Sequence, residues 1–297
     1  MASVDGKAIL VTGAARGIGA VSAKRLAAAG ARLSLVGLEP KLLEETAAAC
    51  GRGAVWFEAD ISDTEAVERA VAGTVERLGG LDGVVANAGL AGFGSVRTID
   101  PAAFERTIEV NLLGTWRTIR AALDPIVSSR GYVLAVASVA AAAHPPGLAA
   151  YAASKAGVEA FCDSLRWEVA HLGVDVGVGY FSWLGTDLTT SAEDHPGFVH
   201  LRSSLPGRLA KVYPVEAAAE AILRGFERRA SKVVAPGWVR GLLAVRGGLN
   251  ALSGRDTRKI APEVVRLCEE EVARRGAAEA SIPRREEARV GFEAADR

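Results

Sequence analysis

The 297-residue chain is 49% apolar and 24% charged, an ordinary water-soluble composition with room for one large domain or two small ones. Lys plus Arg and Asp plus Glu each total 35, so no global basic field speaks for a nucleic-acid or anionic-membrane partner. Cys50, Cys162 and Cys268 lie far apart and the four histidines form no ligand pattern, so no metal is expected and the thiols are read as buried in a reducing compartment.

The N-terminal MASVDGKAILVTG enters an apolar run with no basic segment or cleavage pattern, and no stretch is long and apolar enough to span a bilayer. The expected location is the cytoplasm. Short β-branched runs follow at 8–13, 32–38, 54–60, 82–89, 132–138, 174–181 and 231–236. Alanine-rich helical patterns lie between them, among them Asp63 to Leu78, Pro101 to Leu123 and Tyr151 to Leu172. Runs apolar throughout predict strands buried on both faces. Their alternation with helices predicts an α/β fold, a doubly wound parallel sheet with right-handed crossovers. Residues 1–236 read as one domain and 237–297 as a helical extension that is not an independent domain. Within 214–229, Val215, Ala219, Ile222, Leu223 and Phe226 share one stripe of an amphipathic helix. Residues 237–254 are apolar but interrupted by Arg240, Arg246 and several glycines, and 262–275 form a second amphipathic pattern. The mixed-charge residues 284–297 are expected to be loose.

Two stretches carry chemistry. VTGAARGIGA (11–20) joins the first apolar run to the first helical pattern. Gly13, Gly17 and Gly19 allow a tight turn and close approach of backbone to a pyrophosphate, which the free N–H groups of a helix N-terminus would then bind. A glycine trio alone is weak evidence; its place between a strand and a helix in the first βαβ unit is the context a dinucleotide site requires. YAASKAGV (151–158) sets Tyr151 and Lys155 one helical turn apart on one face. A free tyrosine titrates near pH ~10, too high for acid–base work at neutral pH. A nearby cation favours phenolate, so the pair has the makings of a tuned proton donor and acceptor. Taken alone, the spacing fits an incidental exposed helix turn better.

T-G-x-x-x-G-x-G at 12–19, NAG at 87–89, VNLLG at 110–114, Ser138 and YAASK at 151–155 together resemble the short-chain dehydrogenase/reductase family. Order and separations match, including thirteen positions from Ser138 to Tyr151, and the resemblance covers about residues 5–190. It implies a Rossmann-like domain with seven parallel strands, NAD(P)-dependent oxidoreduction and the catalytic set Asn111, Ser138, Tyr151 and Lys155. In that scheme Tyr151 exchanges a proton with the substrate oxygen. Lys155 lowers the tyrosine pKa and hydrogen-bonds the nicotinamide ribose, Ser138 holds the substrate oxygen, and Asn111 anchors a water that relays protons to Lys155. The implied cofactor contacts are Thr12, Gly13, Ala15, Arg16, Gly17, Ile18 and Gly19 around the loop, Asn87, Ala88 and Gly89 on the adenosine side, Asp60 and Ile61 around the adenine, and Thr186 at the carboxamide, with Tyr151 and Lys155.

The chain departs from the family at three places. Gly37, Leu38 and Glu39 stand where an acid at the end of the second strand usually accepts from the ribose of NAD. Glu39 favours NAD(H) and Arg16 favours NADP(H), and repulsion between Glu39 and a 2′-phosphate tips the expectation slightly to NAD. Phe181-Ser182 replaces the usual Pro-Gly after the sixth strand. Trp183 and Leu184 are read beyond it as walls of the substrate pocket, with Ala140, His144, Pro145 and Pro146. That mostly apolar set suggests a hydrophobic small-molecule substrate, a secondary alcohol or ketone. The alternatives are a 3-oxoacyl thioester or a non-catalytic dinucleotide-binding scaffold. Family members usually end near the seventh strand, which helps build a tetramer. The residues past Gly237 are therefore expected to be a packing extension that alters quaternary structure, in a homodimer or homotetramer; capping of the substrate cleft or contact with a membrane surface are the other options.

Overall fold

The seven apolar runs form strands β1 (Ala8–Thr12), β2 (Arg32–Gly37), β3 (Val55–Glu58), β4 (Gly83–Ala86), β5 (Tyr132–Val136), β6 (Asp175–Phe181) and β7 (Lys232–Ala235). This computed structural model describes residues 3–51 and 53–282, without the side chains of 248–257; the mixed-charge tail at 284–297 lies outside the described residues. All strands pair in parallel, in the order β3-β2-β1-β4-β5-β6-β7, the doubly wound sheet expected. The order reverses between β1 and β4, and open α/β sheets hold ligands outside the carboxyl ends at such a point.

The helices are α1 (Gly17–Ala28), α2 (Pro40–Cys50), α3 (Thr64–Leu78), α4 (Pro101–Ile108), α5 (Thr115–Ser129), α6 (Ala149–Val169), α7 (Asp187–Ala192), α8 (Pro196–Ser203), α9 (Glu216–Arg228), α10 (Val239–Arg275) and α11 (Ala277–Ser281). Successive strand residues serve opposite faces. Ile9 and Val11 pack under α1, α2 and α9, whereas Leu10 packs under α3, α5 and α6. The stripe expected on α9 is buried through Ala219, Ile222, Leu223 and Phe226. All three cysteines are buried and free.

One feature differs from the sequence reading. The single helix expected over Pro101 to Leu123 is broken by a π-helical segment, Glu109–Gly114, before α5 continues to Ser129. One extra residue per turn re-aims side chains without disturbing the apolar stripe on either side. Past Pro236 the chain continues into the extension. Val239 and Leu243 are buried in the α6-side core, and Arg246 pairs with Glu159 of α6. The described extension therefore shares its core with the preceding domain. It then runs as one helix over α8 and returns through α11 to α4. Among the described residues no helix is long and apolar enough to cross a membrane.

Candidate active site

At the end of β1 the chain turns through Gly13 (φ +63°) into α1, which opens at Gly17 (φ +55°). Both conformations favour glycine. Gly19 answers to a different constraint: a Cβ there would lie 2.1 Å from the Gly13 carbonyl oxygen. The N–H groups of Gly17 to Gly19 precede the first helical bond, Ala20 N–H to the Arg16 carbonyl at 3.2 Å, and the Arg16 side chain does not cap them. Such a terminus suits an anion. Thr12 braces the loop from behind. Its Oγ1 accepts from the N–H groups of Asn87 (3.0 Å) and Ala88 (3.1 Å), while Asn87 Nδ2 donates to the Thr12 carbonyl at 3.0 Å.

The cleft between these loops is lined by Gly13, Ala15, Arg16, Gly17 and Ile18, by Gly37, Leu38 and Glu39 after β2, by Asp60 and Ile61 after β3, by Asn87, Ala88 and Gly89 after β4, and by Thr186. Thr12 and Gly19 sit buried behind it and act on its shape. Arg16 and Glu39, read as opposing selectors of the cofactor, form an ion pair with each other. Arg106 also lines the cleft and was not singled out in the sequence. Its guanidinium donates to Asp60 Oδ2 and to Ser62 Oγ, both at 2.7 Å. Burial pushes the Asp60 carboxyl up, but the Ser62 backbone N–H and the Arg106 guanidinium outweigh it and hold the group below its ordinary value. Asp60 is thus a fixed carboxylate. The available signal was a charge on the buried stripe Ala103, Arg106, Thr107, Val110. A glycine cradle without room for Cβ, an uncapped helix terminus and a flanking fixed acid together fit a dinucleotide.

The second half of the site is on α6. The Lys155 ammonium lies 5.8 Å from the centroid of the Tyr151 ring. Lys155 is 3% exposed and donates to the Val136 carbonyl at 2.9 Å; burial lowers its pKa to about 8. The Tyr151 hydroxyl is hydrogen-bonded to the Ser138 side chain. Burial raises the Tyr151 pKa above its ordinary value, and the Ser138 bond only opposes that. Desolvation sets the net direction, against the lowering expected from Lys155, and the phenol keeps its proton at neutral pH. Ser138, just past β5, also caps the short 3₁₀ turn Val139–Ala141 by accepting from Ala140 N–H at 3.1 Å. Asn111 sits in the π segment with 0% exposure. Its Oδ1 accepts from Leu90 N–H at 2.8 Å, and its Nδ2 donates to the Leu90 carbonyl at 2.9 Å and to Ser154 Oγ at 3.0 Å. A Cβ on Gly89 would lie 3.0 Å from Asn111 Oδ1 and 3.3 Å from Lys155 Nζ, so the amide and the ammonium flank one backbone point.

The expected substrate wall is only partly assembled. Trp183 donates to the Leu209 carbonyl at 2.9 Å and meets Phe198 edge-on, ring centroids 5.3 Å apart. Both belong to an apolar cluster with Phe93, Leu148, Leu201 and Tyr151. Leu184 instead faces the core under α1 and α9 and forms a backbone bridge with Tyr213. Neighbours along extended chain point to opposite sides, so Trp183 and Leu184 cannot share a wall. His144 is exposed, with its ring turned back to the Ala141 carbonyl at 3.4 Å, and does not line the site. Ala140 is buried on the turn beside Ser138, and Pro145 and Pro146 are half-buried. Phe93, Phe198, and Val264 and Cys268 of α10 join the cluster unanticipated.

Known proteins were compared with this chain. The profile of the short chain dehydrogenase family matches residues 7–197. An uncharacterized NAD-dependent oxidoreductase of Mycobacterium tuberculosis is 33% identical over 228 residues, covering 69% of this chain and 83% of that protein. The 2-(S)-hydroxypropyl-CoM dehydrogenase 3 of Xanthobacter autotrophicus is 31% identical over 257 residues, 82% of this chain and 96% of its own. A crystal structure of 3-ketoacyl-(acyl-carrier-protein) reductase from Brucella melitensis, complexed with NADH, superposes with a TM-score of 0.71 at 28% identity, covering 78% of this chain and 98% of that one. With the glycine cradle at the switch point and the serine, tyrosine and lysine gathered beside it, the chain belongs to the short-chain dehydrogenase family and is an NAD(P)-dependent oxidoreductase.

Proposed function

We propose that the protein interconverts a secondary alcohol and a ketone on a hydrophobic small molecule, with Tyr151 as acid–base catalyst. The observation that carries this is the Tyr151 hydroxyl bonded to Ser138, with the Lys155 ammonium beside the same ring. The bound dinucleotide supplies or accepts the hydride. The chain's own residues do the rest. Gly17 to Gly19 and Asn87 to Gly89 hold the dinucleotide, and Thr186, whose Cγ2 lies 3.6 Å from where a Gly17 Cβ would be, meets its carboxamide in this reading. Ser138 orients the substrate oxygen, and Tyr151 gives it a proton as charge develops there. Lys155 holds the ribose and stabilises the phenolate left behind. Asn111 keeps the Gly89–Leu90 backbone against Lys155, where water from the bulk returns the proton.

A tyrosine held protonated at neutral pH supports reduction there and oxidation at higher pH. The Arg16–Glu39 pair supports NAD over NADP, because a 2′-phosphate would have to break the pair and sit beside Glu39. Trp116 on α5 and Trp167 on α6, 41% and 79% exposed, support a homodimer or homotetramer, which light scattering would measure. The function is tested by following NADH and NADPH absorbance with a panel of ketones and alcohols. Turnover of apolar ketones with NADH is the expected result. Tight dinucleotide binding with no turnover in either direction would instead favour the scaffold reading.

A further inference from the structure

The cleft along the carboxyl edge of the sheet has two ends. At one, Lys155 Nζ lies 3.3 Å from where a Gly89 Cβ would be, and the Tyr151 ring stands beside it, so the reacting half of the dinucleotide belongs there. The other end lies between Leu38 after β2 and Ile61 after β3 and is left for the base. Its wall is apolar: Ile61 and Val110 are 5% and 6% exposed and share one cluster. A flat base rests on such a wall, and the polar groups on its edge need partners. Of the charged side chains at this end, Arg16 and Glu39 pair with each other, and Arg106 pairs with Asp60.

Asp60 is pinned from two elements. Ser62, on the same turn, donates its N–H and its hydroxyl to Asp60 Oδ1, both at 2.8 Å. Arg106, from α4, donates Nη2 to Asp60 Oδ2 and Nη1 to Ser62 Oγ, both at 2.7 Å. The three side chains close a ring of hydrogen bonds that fixes the plane of the carboxylate. Of the ion pair, the Arg106 side chain is 9% exposed and that of Asp60 20%, so the guanidinium is the more buried and the carboxylate opens further on the cleft. A carboxylate has about four acceptor positions. Ser62 fills those of Oδ1 and Arg106 takes one of Oδ2, which leaves one acceptor position, on Oδ2. Burial alone would push the Asp60 carboxyl up, but the Ser62 and Arg106 bonds hold it below its ordinary value, so at neutral pH it accepts and does not donate.

We infer that Arg106 is the positioning residue of the base site: by holding Asp60 with one free acceptor on Oδ2, it makes the chain select a base that carries an amino group over one that carries a carbonyl at the same position. The inference rests on the dinucleotide reading of the cleft and adds the base selectivity of that site. An amino group donates to the free position of Oδ2. A carbonyl there sets oxygen against oxygen, and both acceptors stay unpaired. Arg106 acts through Asp60. Without it the carboxylate keeps only its Ser62 anchor, and Oδ2 is free to turn away from the base.

The test titrates the full chain with NADH and with reduced nicotinamide hypoxanthine dinucleotide, which carries a carbonyl in place of the adenine amino group. Binding is read by nicotinamide fluorescence, so no substrate or turnover is needed. The parent should bind NADH roughly 10- to 100-fold more tightly than the hypoxanthine analogue, the range of a hydrogen bond to a charged group. Arg106→Ala should bring that ratio close to one, chiefly by weakening NADH. Loss of a buried cation opposite Asp60 is strongly destabilising, so Arg106→Lys is the second variant. It keeps the charge and gives up the two-pronged contact, and its ratio should fall between the other two. A residue that merely tied α4 to the turn after β3 would weaken both dinucleotides alike and leave the ratio unmoved. A parent ratio near one, or the parent's ratio kept in each variant that folds, overturns the inference while leaving the dinucleotide site intact. Failure of the parent to bind either dinucleotide would sink the reading of the cleft and the inference with it.

Discussion

Replacing Asn111 by alanine tests whether one side chain holds the π segment against the loop after β4. The amide makes three hydrogen bonds at 0% exposure, two of them with the Leu90 backbone at 2.8 and 2.9 Å. Alanine would leave the Leu90 N–H and carbonyl buried without a partner, at about 1–3 kcal/mol each. Ser154 loses less, since its hydroxyl still donates to the Tyr151 carbonyl at 2.7 Å. The expected loss is about 3–5 kcal/mol, a large share of the ~5–15 kcal/mol that stabilises a folded domain. Urea denaturation, read as a fall in midpoint at constant m, measures it. Asn111→Asp is the companion variant. It keeps the acceptor for Leu90 N–H but sets a carboxylate oxygen against the Leu90 carbonyl and Ser154, so it should be no more stable than the alanine variant. Stability of Asn111→Ala within about 0.5 kcal/mol of the parent would refute the reasoning, since that is the range of an inconsequential surface change.

Gly19→Ala places a Cβ 2.1 Å from a backbone oxygen, whereas Gly37→Ala meets nothing nearer than the Leu43 side chain at 3.4 Å. NADH titration should show the first weakened by about tenfold or more and the second nearly unchanged; equal affinities would contradict the cradle. Glu39→Gln frees Arg16 and removes a repulsion, so the NADPH to NADH affinity ratio should rise by about tenfold. An unchanged ratio would remove both residues from cofactor choice. Lys155, with a pKa of about 8 when folded, carries the full cost of a buried charge below that pH. Between about pH 8 and 10.4 the unfolded chain binds more protons, so stability relative to Lys155→Met should rise with pH, by up to about 3 kcal/mol. A flat difference would show that Lys155 titrates normally.

The strands and the glycine loop were legible because both are local: short apolar, β-branched runs between helical patterns read as strands, although the edge strand β3 stays half exposed, and Gly13 and Gly17 mark backbone that other residues resist. The grouping of Ser138, Tyr151 and Lys155 was legible through the family resemblance, since the Tyr–Lys spacing alone fits an incidental helix turn. What the sequence could not carry was direction. Leu184 follows Trp183 but faces the opposite core, and His144 lies near Ser138 in the chain yet points to solvent. The π segment was hidden because it leaves the apolar stripe continuous. The pKa shift of Tyr151 was misjudged in sign because a cation four residues away is visible in a sequence and desolvation is not. The apolar face at 262–275 was plain, but periodicity names no partner; the face packs on α8 in its own chain.

The central claim is that Tyr151 moves the proton. It is tested most directly by Tyr151→Phe, with turnover of the best ketone and NADH affinity measured on the same preparation. The phenyl body still packs against the Phe93–Phe198 cluster, so NADH should bind within about twofold of the parent, while kcat falls by about 10²- to 10⁴-fold, the usual contribution of a general acid. Turnover at the parent rate would contradict the assignment outright.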